Sequence, residues 1–146
     1  MASLASAAVL LTRDKDVLPG HCCFTLQDPS TSRPLQQALT GRTTGQTYLS
    51  STHPTGWYCL DISSSSRKVL FDDNNSACIV DSRGNLLCVD PTPGVKGWGL
   101  SGDELVYGGS KDFAACKDGS AEVVHGGKKS GCRTIKLKAK GKKGSC

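Results

Sequence analysis

Apolar and polar residues alternate in short runs along this chain, and glycine, proline, serine and threonine interrupt every run. Cys23-Phe24-Thr25-Leu26, Trp57 to Ile62 and Lys68 to Phe71 each carry the period-two pattern of a half-buried strand. Asp81-Ser82-Arg83-Gly84-Asn85 is a tight turn between Cys78-Ile79-Val80 and Leu86-Leu87-Cys88-Val89, which predicts a hairpin. A second hairpin runs from Gly97-Trp98-Gly99-Leu100 through Ser101-Gly102-Asp103 to Glu104-Leu105-Val106-Tyr107. A third pairs Phe113 to Cys116 with Ala121 to His125. In the last strand Ile135, Leu137 and Ala139 face one way, and Lys136, Lys138 and Lys140 the other. No 3.6-residue apolar repeat is sustained, and the best helical candidate, Pro34 to Leu39, is one turn long. About ten short strands with Gly-rich turns predict an all-β fold. The expected architecture is a compact, disulfide-stapled barrel, trefoil-like, with a β-sandwich as the alternative.

Composition adds the staples. The chain has 146 residues, the length of one domain, yet only 37% are apolar and 5% aromatic. Such a thin core calls for cross-links. Eight cysteines supply them: Cys22, Cys23, Cys59, Cys78, Cys88, Cys116, Cys132 and Cys146. The count is even and no CxxC pair occurs, which predicts four disulfides in an oxidising compartment rather than a zinc site. His21-Cys22-Cys23 has the residue types of a metal cluster. In a strand, however, adjacent cysteines point to opposite faces and reach two different partners. No metal and no cofactor are expected. Among the 105 ways of pairing eight cysteines the sequence does not choose.

Residues 1–20 read as a signal-peptide remnant or flexible N-terminal arm, and 21–146 as the single cysteine-rich domain. Met1 to Leu11 is apolar and rich in small residues, and Ala5-Ser6-Ala7 fits a secretory cleavage pattern. No other stretch approaches the roughly 20 apolar residues of a membrane span. The chain is expected to be secreted and monomeric. Asn74-Asn75-Ser76 is an N-glycosylation sequon on a polar turn.

Charge is divided unevenly. Residues 1–127 carry ten Lys/Arg against thirteen Asp/Glu, net −3, whereas residues 128–146 carry eight basic residues and no acid, net +8. Alternation places Lys136, Lys138 and Lys140 on the outer face of the last strand, with Lys142 and Lys143 extending the row; Arg133, in phase with Ile135 and Leu137, faces inward or lies in the preceding loop. One reading makes the row a docking stripe for an anionic partner: phosphomannan, polyuronide, a phospholipid surface or an acidic protein. The other makes the lysines guards of an exposed sheet edge. Nucleic acid is not the expected partner, because no aromatic residues interleave with the lysines.

Catalysis finds little support in the residues. The three histidines, His21, His53 and His125, lie in no recognisable motif, an even cysteine count leaves no free thiol, and Glu104 and Glu122 have no local acidic partner. The chain is therefore expected not to be an enzyme.

Several segments resemble one family. Ala77-Cys78-Ile79-Val80-Asp81-Ser82-Arg83-Gly84-Asn85, then Cys88, then Gly97-Trp98-Gly99-Leu100-Ser101-Gly102-Asp103-Glu104-Leu105, then Lys111-Asp112-Phe113-Ala114-Ala115-Cys116, resemble the C-terminal domain of fungal Pir-type cell-wall mannoproteins. Cys22-Cys23-Phe24-Thr25-Leu26 and Tyr58-Cys59-Leu60-Asp61 are similar to its form in filamentous fungi. The resemblance implies a secreted, non-catalytic fungal protein of the cell wall or extracellular space, binding wall polysaccharide. Thr40-Gly41-Arg42 stands where Pir repeats carry the Asp-Gly-Gln used for covalent glucan attachment. The alternative is a virulence effector of the apoplast that binds and inhibits a secreted host hydrolase such as a protease. Its candidate protein-binding loop is Asp90-Pro91-Thr92-Pro93-Gly94, which two prolines pre-order.

Overall fold

The computed structural model describes residues 17, 19–37, 45–62, 68–90 and 96–146, and within them every regular element is a β-strand. Nine strands form the first sheet. β1 (His21–Asp28) is central, with the two residues of β2 (Arg33–Pro34) folded back on its end. On one side follow β5 (Tyr58–Asp61), β6 (Leu70–Asp72), β7 (Ala77–Val80) and β8 (Leu86–Asp90); on the other, β14 (Lys138–Gly144), β10 (Glu104–Tyr107) and β9 (Trp98–Ser101). The second sheet runs β13 (Arg133–Ile135), β11 (Phe113–Asp118), β12 (Ala121–Gly126), β4 (Thr47–Leu49), β3 (Gln36–Gln37). All pairings within both sheets are antiparallel.

One core lies between the sheets. The first contributes Phe24, Leu26, Tyr58, Leu70, Trp98, Leu105 and Leu137; the second contributes Leu49, Phe113, Val124 and Ile135. Each large apolar side chain buried there stabilises the fold by about 1.5–3 kcal/mol. The all-β, disulfide-stapled expectation stands, in its sandwich form rather than as a closed barrel. The first sheet curls until Trp98 N donates to Lys68 O at 3.1 Å, but no ladder follows. The Trp98 indole fills the gap instead: it donates to Cys78 O at 3.0 Å and holds β9 and β7 a side chain apart.

The disulfides are Cys22–Cys146, Cys23–Cys59, Cys78–Cys88 and Cys116–Cys132. Cys22 faces the main core, while Cys23 and Cys59 pack with Trp57 in a separate cluster. Adjacent residues of one strand thus reach two partners from opposite faces, as the period of a strand requires.

Two buried carboxylates tie the sheets together. Asp28, 1% exposed at the end of β1, accepts hydrogen bonds from Ser30 N (3.1 Å), Ser30 Oγ (2.8 Å) and Thr31 Oγ1 (2.9 Å). Arg133 of the second sheet completes its shell at 2.9 Å and grips Glu122 with its other arm at 2.8 Å. Arg133 opens β13 opposite Ala115, but its side chain is exposed and reaches Asp28 from the rim of the sheets rather than facing the core as its phase with Ile135 suggested. Asp72 does the same job at the next turn. It caps Asn74 N and Ser76 N at 2.9 and 2.8 Å and accepts from Gln37 Nε2 of the second sheet.

The helical turn expected over Pro34 to Leu39 does not form. Leu35 N donates to Leu26 O (2.7 Å) and Gly56 N to Leu35 O (3.0 Å), so the segment is drawn into strand pairing as β2 and β3; Ala38 and Leu39 lie outside the described residues. The last strand is also two strands. The chain passes from the second sheet to the first at Lys136–Leu137, and alternation runs unbroken through the switch because Ile135, Leu137 and Ala139 all face the shared core.

Candidate anion-binding face

β14 is an inner strand at its start. It pairs with β1 along most of its length and with β10 at Glu104↔Lys138, where Leu105 N donates to Leu137 O and Ala139 N to Asp103 O. The edges of this sheet's main path are β8 and β9. Guarding a free edge therefore does not account for Lys138, which has a paired strand on each side.

The register on β1 fixes where each lysine stands. Gln27 opposes Lys138, Thr25 opposes Lys140 and Cys23 opposes Lys143. Those β1 residues alternate with the core residues Phe24 and Leu26, so Lys138, Lys140 and Lys143 share the outer face. Strict alternation would have turned Lys143 inward. A β-bulge prevents this: Gly141 and Lys142 together stand opposite Phe24, and Gly141 takes a left-handed φ of 61°. Glycine adopts that conformation without a Cβ penalty, which is why bulges of this kind carry it.

Acidic side chains set the lysines apart from one another. Lys136 Nζ bonds Asp112 Oδ1 at 2.6 Å, and Lys142 Nζ bonds Asp103 Oδ1 at 2.6 Å. Lys111, on the loop before β11, pairs with Glu104 at 3.1 Å. Lys138, Lys140 and Lys143 form no ion pair among the described residues. The hydrogen bond from Lys142, with the charges of Lys142, Lys138 and Lys140, holds the Asp103 carboxyl below its ordinary pKa. Asp112 is held down likewise, first by its bond from Lys136 and then by the charges of Lys136 and Lys128. The expected row of five equivalent lysines is thus two pinned side chains and three available ones. Sequence reasoning missed Lys111 and Lys128, whose place beside the row depends on Glu104 and Asp112 being folded against it.

The other expected sites lie elsewhere. Asn74 is exposed in the β6–β7 turn, where its Nδ2 donates to Asp73 Oδ1 at 3.4 Å. Asp90 ends β8 opposite Ala77; Pro91, Thr92, Pro93 and Gly94 lie outside the described residues. His21 Nδ1 donates to Pro19 O at 2.9 Å, His53 stacks on Tyr48 at 4.8 Å, and His125 is buried beside the β7–β8 turn, so the three histidines are dispersed. A groove of about 410 Å³ beside Cys116–Cys132 is lined by Glu122 and Arg133, both engaged in the sheet-to-sheet network. Among the described residues no three His, Cys, Asp or Glu side chains gather closely enough to hold a metal, and no helix is long and apolar enough to cross a membrane. No protein-family model, curated protein or solved structure matches the chain.

Proposed function

We propose that this chain is a non-catalytic binding domain that works outside the cell, wall-associated or apoplastic in the manner the Pir resemblance implies, and that it contacts an anionic partner through the outer face of β14. The carrying observation is that Lys138, Lys140 and Lys143 share one face of β14 and have no ion-pair partner among the described residues, while Asp112 and Asp103 hold Lys136 and Lys142. Four disulfides support the extracellular setting, since they persist in oxidising compartments and are rare where glutathione keeps thiols reduced. A cross-linked sheet also presents its side chains at low entropic cost, which favours binding. The hydrolase-inhibitor alternative rests on the loop after β8, and no described feature favours it.

Co-sedimentation tests the reading. The oxidised domain is expected to bind insoluble polyuronide and to leave it as salt is raised, while neutral β-glucan and chitin retain little. Equal, salt-insensitive retention on the neutral polymers would overturn the assignment to β14.

A further inference from the structure

The lysine face has a shape as well as a charge, and its shape selects among anionic partners. Successive outer-face positions on a strand are about 7 Å apart, so Lys136 to Lys143 extends over roughly 20 Å. The row is one side chain wide. On one flank β1 presents the Thr25 hydroxyl and the Gln27 amide; on the other stand Asp103 and Glu104, and Asp112 lies at the Lys136 end. Lys128 lies within electrostatic reach of Asp112.

Resting on the anionic-partner reading above, we propose that β14 is a track for a linear anionic polysaccharide, whose successive carboxylate or sulfate groups meet Lys138, Lys140 and Lys143 in file. A broad negative surface, such as a bilayer of acidic lipids, would bring its charge over Asp103, Glu104 and Asp112 as well as over the lysines. A single chain follows the lysines and avoids the acids. A bilayer also rewards apolar insertion, and the exposed large apolar side chains of the described residues are Val17, Ile62 and Val89; of these only Val17 packs near β14, beside Gly144. Neither β14 nor the facing β1 residues Cys23, Thr25 and Gln27 include an aromatic side chain on which a nucleobase could stack. The Gln27 amide offers a sugar hydroxyl a polar, uncharged partner, and the Thr25 hydroxyl, which donates to Lys140 O at 3.4 Å, can still accept.

Chain length is the discriminating variable. Binding of galacturonic acid, a short galacturonate oligomer and polygalacturonate is measured by calorimetry at fixed low salt, beside phosphatidylserine vesicles. A track engages several charges at once, so affinity is expected to rise by about 100-fold or more from monomer to polymer. Replacing Lys138, Lys140 and Lys143 by Ser one at a time is expected to lower the salt-dependence slope by about one per lysine. If monomer and polymer bind equally per charge, the track is wrong while the anionic-partner reading stands. If vesicles bind as tightly as polygalacturonate, the partner is a membrane and the proposal falls. If no anionic probe binds in a salt-dependent way, both readings fall together.

Discussion

The Arg133 guanidinium meets the Asp28 carboxylate at 2.9 Å, joining the end of β1 in one sheet to β13 in the other. Asp28 is almost wholly buried, so its charge depends on that contact and on Ser30 and Thr31. Arg133→Met leaves the carboxylate with the two hydroxyls and one backbone N–H. A hydrogen bond to a charged group contributes about 1.5–3 kcal/mol. Arg133 is itself 38% exposed, so screening by water reduces the loss to about 1–2 kcal/mol. Urea unfolding measures it. An unchanged midpoint would show that the turn residues satisfy Asp28 unaided.

Acid is expected to weaken the fold in two stages of the same sign. Burial, then the charge of Lys129, lower the His125 pKa against the pull of Asp81 and the Gly84 backbone. A group whose pKa falls on folding contributes stability above its unfolded value, and that contribution is lost as pH falls through the folded value. For His125 the decline therefore begins below about pH 6.5. Burial pushes Asp28 up, but the hydrogen bonds from Ser30, Arg133 and Thr31 outweigh it and hold its pKa below the ordinary value. A second decline thus begins below about pH 4. Thermal melts across this range should show His125→Gln losing the upper stage and Asp28→Asn having a shallower lower stage. Stability that rose on acidification would contradict both assignments.

The disulfides are expected to rank by the loops they close. Cys22–Cys146 spans a sequence separation of 124 and Cys78–Cys88 a separation of 10. Loop-closure entropy gives about 5 kcal/mol for the first and about 3 kcal/mol for the second. Paired Cys→Ala variants, compared by denaturant midpoint, should follow that order. A larger loss at Cys78–Cys88 would mean that packing against the core, not the closed loop, dominates.

Gly141 sets the phase of the lysine row. A Cβ there meets nothing within 4 Å, so the cost of Gly141→Ala comes from its φ of 61°. That cost is about 1–2 kcal/mol, read as a lowered melting temperature. Deleting Gly141 removes the bulge: Lys142 then stands alone opposite Phe24 and turns inward, while Lys143 stays opposite Cys23 on the outer face. Its expected signature is a lowered melting temperature, because an inward-facing Lys142 loses its bond to Asp103, with the salt-dependence slope of polyanion binding unchanged. A reduced slope in the deletion variant would show that Lys142, rather than Lys143, makes the contact.

The hairpins were legible because each joins two period-two runs through a turn with its own chemistry; Asp81, for example, accepts from Arg83 N and Asn85 N through one carboxylate oxygen. Three features were hidden. Alternation of Ile135, Leu137 and Ala139 looks the same in one strand or in two strands of different sheets, so the switch at Lys136 left no trace. The bulge at Gly141 reads locally as one more glycine among seventeen. Pro34 to Gln37 carries no strand pattern of its own and pairs because Leu35 is anchored by Leu26 and Gly56. At the candidate site the lysines were visible as a run. Their division into pinned and available residues was not, because Asp103 and Asp112 reach them only through the fold.

The central claim is that position, not net charge, makes β14 the binding face. Two triple variants carry the same charge change: Lys138→Ser, Lys140→Ser and Lys143→Ser in one, and Lys96→Ser, Lys117→Ser and Lys129→Ser, all exposed and off the row, in the other. Their affinities for polygalacturonate, measured at matched salt with circular dichroism confirming the fold, decide the matter. The β14 variant is expected to lose binding while the control retains most of it. Equal losses in the two variants would contradict the account, leaving the lysine row a feature of solubility alone.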